Sequence, residues 1–227
     1  MLFMEDMEKH DNRDELLRNT IIRDIARRLD EFVPHVYDSR PVSPTGLSGD
    51  HILNPTMRVS FDATTVKPAA VLMPVLDRDE PTLLFTTRST QLKHHSGQVS
   101  FPGGRREQGE TACQTALREA REEVGIPDTM VTPLGYLDQY LSGTNYLITP
   151  VIGVVDPDFL PRPNPDEVAD IFEAPLGIFL DEKNYQQHST VLAGQRRFFY
   201  AIPYGSHFIW GVTAGILHNF CLRMERR

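Results

Sequence analysis

The chain has 227 residues, of which 40% are hydrophobic and 24% charged, and its formal net charge is −8. This length and composition predict one large domain, or one domain with an extension, with enough apolar residues for a buried core. The negative charge argues against a general nucleic-acid-binding protein, because nonspecific binding depends on Lys and Arg side chains that neutralise phosphates.

The N-terminal part of the chain predicts one helix followed by a long connection. Over residues 14–33, apolar residues recur every three or four positions between Arg and Asp, which is typical of an amphipathic helix. Residues 34–67 contain Pro, Gly and Asn without sustained periodicity and predict a loop, in which Met57–Phe61 could form one short strand. We therefore divide the chain into an N-terminal extension, residues 1–67, and a main domain, residues 68–227.

The main domain predicts strands on both sides of a central helix. Runs rich in Val, Leu, Ile and Phe, separated by turn residues, are typical of strands. The predicted strands are Ala69–Leu76, Thr82–Thr87, Val99–Phe101, a hairpin of residues 131–141 with 146–155, and a hairpin of residues 189–192 with 197–202. The predicted helices are Thr111–Val124, Ala174–Asp181 and Ile209–Met224, and residues 156–166 read as a proline-rich loop. This order indicates an α/β or α+β fold with a mixed sheet.

The cysteines and the apolar stretches of the sequence give information on the cellular compartment of the protein. The two cysteines, Cys113 and Cys221, are far apart and each falls in a predicted helix, so a reducing compartment is the simpler interpretation. The N-terminal residues become acidic before an apolar segment of useful length appears, which is unlike a secretory signal. No stretch reaches about 18 consecutive apolar residues. We therefore expect a cytoplasmic protein without a membrane span. A homodimer is compatible with the sequence, although no motif indicates one.

The central helix carries the most informative pattern of the chain. Glu119, Glu122 and Glu123 are spaced three and four positions apart, so their carboxylates project from one stripe of the helix. Carboxylates held together repel one another and favour a counter-ion, and Mg²⁺ is a hard cation that binds carboxylate and phosphate oxygens. Arg118 is placed to orient these glutamates by ion pairs, and Glu110 to lie near the positive end of the helix.

An isolated acidic run of this kind is most often a solvated, salt-bridged helix face. Two further features favour a metal site here. Phe101–Gly104 forms a predicted turn directly before the segment, and Gly104 precedes Glu110 by six positions. Gly125 then ends the predicted helix, since glycine tolerates the positive φ of a C-terminal cap.

With these glycines, glutamates and Arg118 at this spacing, the segment from Gly104 to Ile126 resembles the Nudix box, with Ala120 where a larger aliphatic residue is usual. The resemblance implies a mixed sheet sandwiched between helices and the hydrolysis of a nucleoside diphosphate linked to another group. It also implies that the three glutamates bind Mg²⁺, with Mn²⁺ as a possible substitute, and that a glutamate accepts the proton of the attacking water. The residues so implicated in metal binding and catalysis are Glu119, Glu122 and Glu123.

Residues 84–104, directly before the box, are similar to the additional signature of the coenzyme A pyrophosphatase branch of this family. Phe85 replaces a Leu of that signature, and Lys93 replaces its second Arg. Lys keeps the charge but lacks the planar fork with which Arg grips phosphate. The similarity spans about residues 68–220 and implies a small-molecule substrate, coenzyme A (CoA) or a CoA derivative. The substrate-binding residues would be Arg88, Lys93, Gly97, Gly103 and Gly104.

The sequence leaves several alternatives open. The metal chemistry would also serve ADP-ribose, a dinucleotide or a nucleoside triphosphate, and a nucleotide sensor without turnover is a third interpretation. Glu167 is either a catalytic base or a charge at a helix N-terminus. Arg88 is either a phosphate contact or a surface ion-pair partner. His94 and His95 lack Cys or His partners at zinc spacing, so structural roles are favoured over metal binding.

Overall fold

A computed structural model of the chain describes residues 19–29, 47–55, 65–90, 97–192 and 194–225. The suggested strand at Met57–Phe61, both ends of the predicted helix 14–33, and Lys93, His94 and His95 lie outside these residues. None of the helices in the described ranges has the length and apolar character needed to cross a bilayer.

The described residues form three α-helices and twelve strands. The helices are α1 (Thr20–Arg27), α2 (Ala112–Val124) and α3 (Val212–Glu225). The strands are β1 (Ser48–Gly49), β2 (Lys67–Leu76), β3 (Thr82–Arg88), β4 (Val99–Ser100), β5 (Gly103–Arg105), β6 (Val131–Tyr136), β7 (Tyr140–Leu141), β8 (Tyr146–Val155), β9 (Val168–Pro175), β10 (Gln186–Leu192), β11 (Gln195–Tyr204) and β12 (His207–Trp210). Short 3-10 helices cover Asp128–Met130, Leu176–Leu180 and Glu182–Asn184.

Nine of the described strands build one mixed sheet. Its order is β1-β7-β8-β2-β3-β4, and β5, β6 and β9 pair with β2, β8 and β3. The parallel pair β2 and β8 stays in register from Lys67 opposite Tyr146 to Leu76 opposite Val155. The remaining strands β10, β11 and β12 form a separate antiparallel sheet.

Apolar side chains cover both faces of the large sheet. On one face, α2 buries Ala116, Ala120 and Val124 against Ala70 and other residues of β2 and β8. The small Ala120 is fully buried there, so this position is part of the packing. The other face packs on α1, α3 and the second sheet. The core on this face is larger than the core beneath α2. That core includes Ile22, Ile25, Met73, Phe85, Phe179, Ile202, Leu217 and Phe220. Helices on both sides of a mixed sheet confirm the predicted fold class.

Residues that precede β2 are bonded to the main domain. The Asp50 carboxylate accepts hydrogen bonds from the Tyr140 hydroxyl at 2.6 Å and the Gly143 amide at 2.8 Å. The side-chain amide of Asn54 pairs with both the N–H and the C=O of Phe198 in β11, at 2.8 and 2.9 Å. Asn54 therefore bonds to the β11 backbone much as a neighbouring strand would.

Two predicted helices differ from the structure. The prediction of a helix at Ala174–Asp181 is wrong, because Ala174 and Pro175 end β9 and a 3-10 helix follows at Leu176–Leu180. Pairing with β3 along Val168–Pro175 stabilises the extended backbone there. The C-terminal helix begins at Val212 instead of Ile209, because β12 pairs with β11 and Gly211 then adopts a φ of +64°.

Candidate active site

The two ends of α2 are fixed by local interactions that agree with the predicted bounds. Thr111 caps the N-terminus: its hydroxyl accepts from the Gln114 amide at 3.2 Å, and the Gln114 side chain accepts from the Thr111 amide at 2.8 Å. This reciprocal pair satisfies two backbone donors that a helix start leaves open. Gly125 ends the helix with a φ of +76°. The register of the acidic face is thereby set.

Arg118 organises one half of the acidic cluster. Its Nε lies 2.7 Å from Glu110 Oε1, and its Nη1 lies 2.8 Å from Glu119 Oε1 and 3.1 Å from Glu122 Oε2. Hydrogen bonding from Arg118 lowers the pKa of Glu110 to about 2, and Glu110 in turn raises the pKa of Arg118. The predicted ion pairs between Arg118 and the neighbouring glutamates are therefore present, and the shortest of them is with Glu110.

Glu123 is the least compensated acid of the cluster. It is only 3% exposed. Its Oε2 accepts a hydrogen bond from the Gly103 amide at 3.3 Å, and Arg88 Nη1 lies 3.8 Å from its Oε1. Burial raises the pKa of Glu123 to about 8, although the nearby Arg88 charge opposes the rise. A carboxyl shifted this far by desolvation is typical of a functional site.

Gly103 and Gly104 are required by close approaches to the sheet and to α2. A Cβ at Gly104 would collide with the carboxylate of Glu119, and a Cβ at Gly103 would fall within 2.7 Å of the Val71 backbone. Burial raises the pKa of Glu119, with Arg118 acting in the opposite direction. The prediction of a turn over Phe101–Gly104 is wrong in its second half, because Gly103 and Gly104 belong to β5. This strand can touch the acidic face of α2 only because the two glycines lack side chains.

Glu167 lies in the loop before β9. Its negative charge is among the smaller causes that raise the pKa values of Glu119 and Glu123. The Asn164 amide donates to the Glu123 carbonyl at 2.9 Å, so this loop is fastened to the end of α2. Glu167 precedes a strand, which rules out its interpretation as a helix N-terminal charge.

Arg88 joins the site from β3, and Gly97 bonds to the Arg88 backbone. The Arg88 amide donates to Gln98 O and the Gly97 amide to Arg88 O, both at 3.0 Å. Gly97 has a φ of +70° and open space around it, so it serves the turn between β3 and β4. Of the residues predicted to bind substrate, the structure brings Arg88, Gly103 and Gly104 to the cluster.

The oxygen-rich cluster has ligands suited to a hard divalent cation, although its carboxylates do not converge on one point. Among the described residues, no three His, Cys, Asp or Glu side chains converge as a ready-made metal site. Arg118 Nη1 lies between Glu119 and Glu122. Mg²⁺ would use three features of the cluster: its carboxylate oxygens, the glycine that leaves room at Glu119, and the buried Glu123, whose charge has few nearby partners.

Sequence reasoning missed two supporting residues. The Thr115 hydroxyl donates to Glu110 at 2.7 Å, and the spacing of four between Thr115 and Glu119 could have placed it on the acidic face. Asn164 shapes the Glu167 loop by accepting from the Asp166 amide at 3.2 Å. The Asn-Pro-Asp sequence there indicates a turn, but nothing local indicates that the turn docks on α2.

Comparisons with known proteins identify the family of this chain. A family model described as the NUDIX domain matches residues 66–195. A Photorhabdus laumondii protein named Nudix hydrolase NudL is 42% identical over 158 residues, which cover 69% of this chain and 84% of that protein. The Escherichia coli K12 protein of the same name is 38% identical over 179 residues, covering 78% and 92%. A solved Nudix hydrolase from M. smegmatis, RenU, aligns over 49% of this chain and 72% of its own at 23% identity, with a TM-score of 0.43.

Proposed function

Since this chain belongs to the Nudix hydrolase family, whose members act on phosphorus-containing anhydrides, we propose that its substrate is coenzyme A or a CoA derivative. The products would be 3′,5′-ADP and a 4′-phosphopantetheine product. The observation that carries the proposal is the meeting of the CoA-type signature with the acidic cluster. Arg88 and Gly103, which belong to that signature, both contact the Glu123 carboxylate.

In this proposal the metal is held by Glu119, Glu122 and Glu123. Bound Mg²⁺, or Mn²⁺ in its place, would neutralise the diphosphate and lower the pKa of a water molecule. Arg118 keeps Glu119 oriented while Glu110 anchors the arginine. Because Glu110 is hydrogen-bonded to Thr115 and the Glu107 amide as well, this anchor is rigid.

Glu167 is our candidate for the general base. Its charge contributes to the raised pKa values of Glu119 and Glu123 although it lies outside α2, and the loop that carries it is bonded to the helix end. In the reaction, a water oxygen attacks one phosphorus, its proton passes to the Glu167 carboxylate, and the bond from that phosphorus to the bridging oxygen breaks. The leaving phosphate takes the electron pair of that bond.

Substrate selection would rest on the cations before the box. Arg88 offers a planar guanidinium suited to phosphate, whereas Lys93 offers a point charge. CoA carries a 3′-phosphate that ADP-ribose lacks, so cationic contacts beyond the diphosphate would favour CoA.

A panel of CoA, dephospho-CoA, ADP-ribose and dATP, each with Mg²⁺ and followed by ³¹P NMR, tests the proposal. We expect CoA to give the highest kcat/KM and to exceed dephospho-CoA, from which it differs only by the 3′-phosphate. Equal treatment of these two together with a preference for ADP-ribose would contradict the CoA assignment and leave the family chemistry intact. Binding without any new phosphate species would instead indicate a nucleotide sensor. Chelation of the metal with EDTA is the control, and it should stop all turnover.

A further inference from the structure

The end of β3 fixes the position of Arg88. Arg88 is the last residue of this strand, and the pairing with β9 slips by one residue between Thr87 and Arg88. Such an irregularity re-aims a side chain, and it is common beside active sites. On the other side, the Arg88 amide donates to the Gln98 carbonyl and the Arg88 carbonyl accepts from the Gly97 amide, which holds the Arg88 backbone. The guanidinium therefore reaches Glu123 because the sheet directs it there.

The contact between Arg88 and Glu123 is looser than the other ion pairs of the cluster. Arg88 Nη1 lies 3.8 Å from Glu123 Oε1, whereas Arg118 Nε lies 2.7 Å from Glu110 Oε1. The Glu123 side chain is 4% exposed and that of Arg88 is 31% exposed. Within the described part of the chain, the buried Arg88 Nε has no hydrogen-bond partner. Arg88 thus compensates the charge of Glu123 without being saturated by it.

We propose that Arg88 is an exchangeable partner of Glu123: it pairs with the Glu123 carboxyl while the divalent metal is absent, and it turns to the diphosphate of the ligand once the metal takes Glu123. This inference rests on the metal-binding role of Glu123 in the proposed function. A buried carboxylate left without a cation is costly, which accounts for the pairing. Two cations on one carboxylate repel each other, which accounts for the exchange.

Two other roles for Arg88 make different predictions. If Arg88 only contacts substrate, its removal leaves the affinity for Mg²⁺ unchanged. If it only holds Glu123 in shape for the metal, its removal weakens Mg²⁺ binding. Under exchange, Arg88 competes with the metal, so its removal tightens Mg²⁺ binding.

The first experiment is calorimetric titration of the ligand-free protein with Mg²⁺ at alkaline pH, repeated at rising pH until the affinity of each variant no longer changes, so that the Glu123 carboxyl is ionised in every variant. We expect Arg88→Ala to bind Mg²⁺ about three- to tenfold more tightly than the wild type, the scale of a partly exposed ion pair. Arg88→Lys, which keeps the charge, should stay near the wild type. Unchanged or weaker binding by Arg88→Ala overturns the inference.

Arg78→Ala is the matched control. Arg78 also pairs with a carboxylate beside β3, Glu173, at 2.7 Å, and it lies outside the acidic cluster. Its removal should leave Mg²⁺ affinity unchanged. A similar tightening in both variants would mean that any lost positive charge has this effect, and it would also overturn the inference.

The second experiment uses ADP as a diphosphate probe, with and without saturating Mg²⁺. We expect Arg88→Ala to weaken ADP binding about tenfold with Mg²⁺, the worth of one charge-assisted hydrogen bond, and to change it little without the metal. Equal losses under both conditions would show that the guanidinium is always available to the ligand, against exchange. Neither titration contains CoA, so failure of the CoA panel would leave both results readable.

Discussion

Two arginine–carboxylate contacts lie at the two ends of β3, and they differ in distance and in the number of hydrogen bonds. Before the strand, Arg78 grips Glu173 through two parallel bonds of 3.0 and 2.7 Å, and the Thr82 hydroxyl adds a third at 2.6 Å. At the end of the strand, Arg88 approaches Glu123 no closer than 3.8 Å. The better compensated carboxylate is also the more exposed of the two.

The pKa values of the two carboxyl groups record this difference. Hydrogen bonding from Arg78 lowers the pKa of Glu173, whereas burial raises the pKa of Glu123 to about 8. A saturated carboxylate stabilises the fold and has nothing left to offer a ligand. A buried carboxylate with few hydrogen-bond or ion-pair partners destabilises the fold. Active sites retain such a group when it takes part in binding or catalysis. The contrast therefore supports a structural role for Glu173 and the proposed functional role of Glu123.

The largest expected effect is on turnover. Changing Glu119, Glu122 or Glu123 singly to Gln should lower kcat by about 100-fold or more, because in the proposed function each change removes a charged ligand from one metal site. Double changes should cost far less than the product of the single effects, since the residues serve one step. Steady-state kinetics on the preferred substrate would measure this. The contrast with the structural pair breaks down if Glu173→Gln loses as much activity, or if Glu123→Gln keeps all of it.

The next effect concerns stability in the absence of metal. Because the pKa of Glu123 is raised from 4.5 to about 8, the folded protein holds a proton in that window that the unfolded chain has lost, so stability falls as pH rises through it. Glu123→Gln should therefore be more stable than the wild type above about pH 8, by an amount on the order of 3 to 5 kcal/mol. Urea unfolding in EDTA would measure the difference, which should shrink towards about pH 5. A pH-independent difference would point to altered packing.

The Arg78–Glu173 pair should show the opposite sign. Its carboxyl has a lowered pKa, so it contributes stability above the ordinary pKa of a glutamate that is lost as pH falls. Glu173→Gln should cost about 1 to 2 kcal/mol near neutral pH, the scale of a charge-assisted hydrogen bond. The loss should fade in acid, and kcat should not change. A stabilised Glu173→Gln protein would erase the contrast between the two ends of β3.

A further stability effect is expected at Glu110, which is firmly paired with Arg118. Its pKa is lowered to about 2, so its contribution is complete above the ordinary glutamate pKa and is lost progressively as pH falls from there towards about 2. Glu110→Gln should thus be less stable than the wild type at neutral pH, and thermal melts at several pH values would show the loss. A midpoint of that loss near the ordinary glutamate pKa would mean that the pairing with Arg118 is weak in solution.

The sequence could predict what depends on near neighbours. The bounds of α2 and the ion pairs of Arg118 follow from spacings within about two helical turns, whereas the strand at Gly103–Arg105 depends on its pairing with β2. The strand β9 could not be predicted from local spacing. Asp170 and Glu173 interrupt its apolar pattern, and its extended backbone is stabilised by pairing with β3. The approach of Arg88 to Glu123 likewise joins residues that are distant in the chain, and no local pattern indicates it.

The side-chain pairing of Asn54 with β11 bears on where this protein can be cut. The family match ends at residue 195, the first residue of β11, and begins at residue 66, after Asn54. Beyond those limits lie Ile22, Ile202 and Leu217, which share one core with Phe85. A recombinant fragment trimmed to the matched residues would lose one wall of that core and leave β10 without its partner strand. The folding unit of this protein is thus larger than its recognisable family segment.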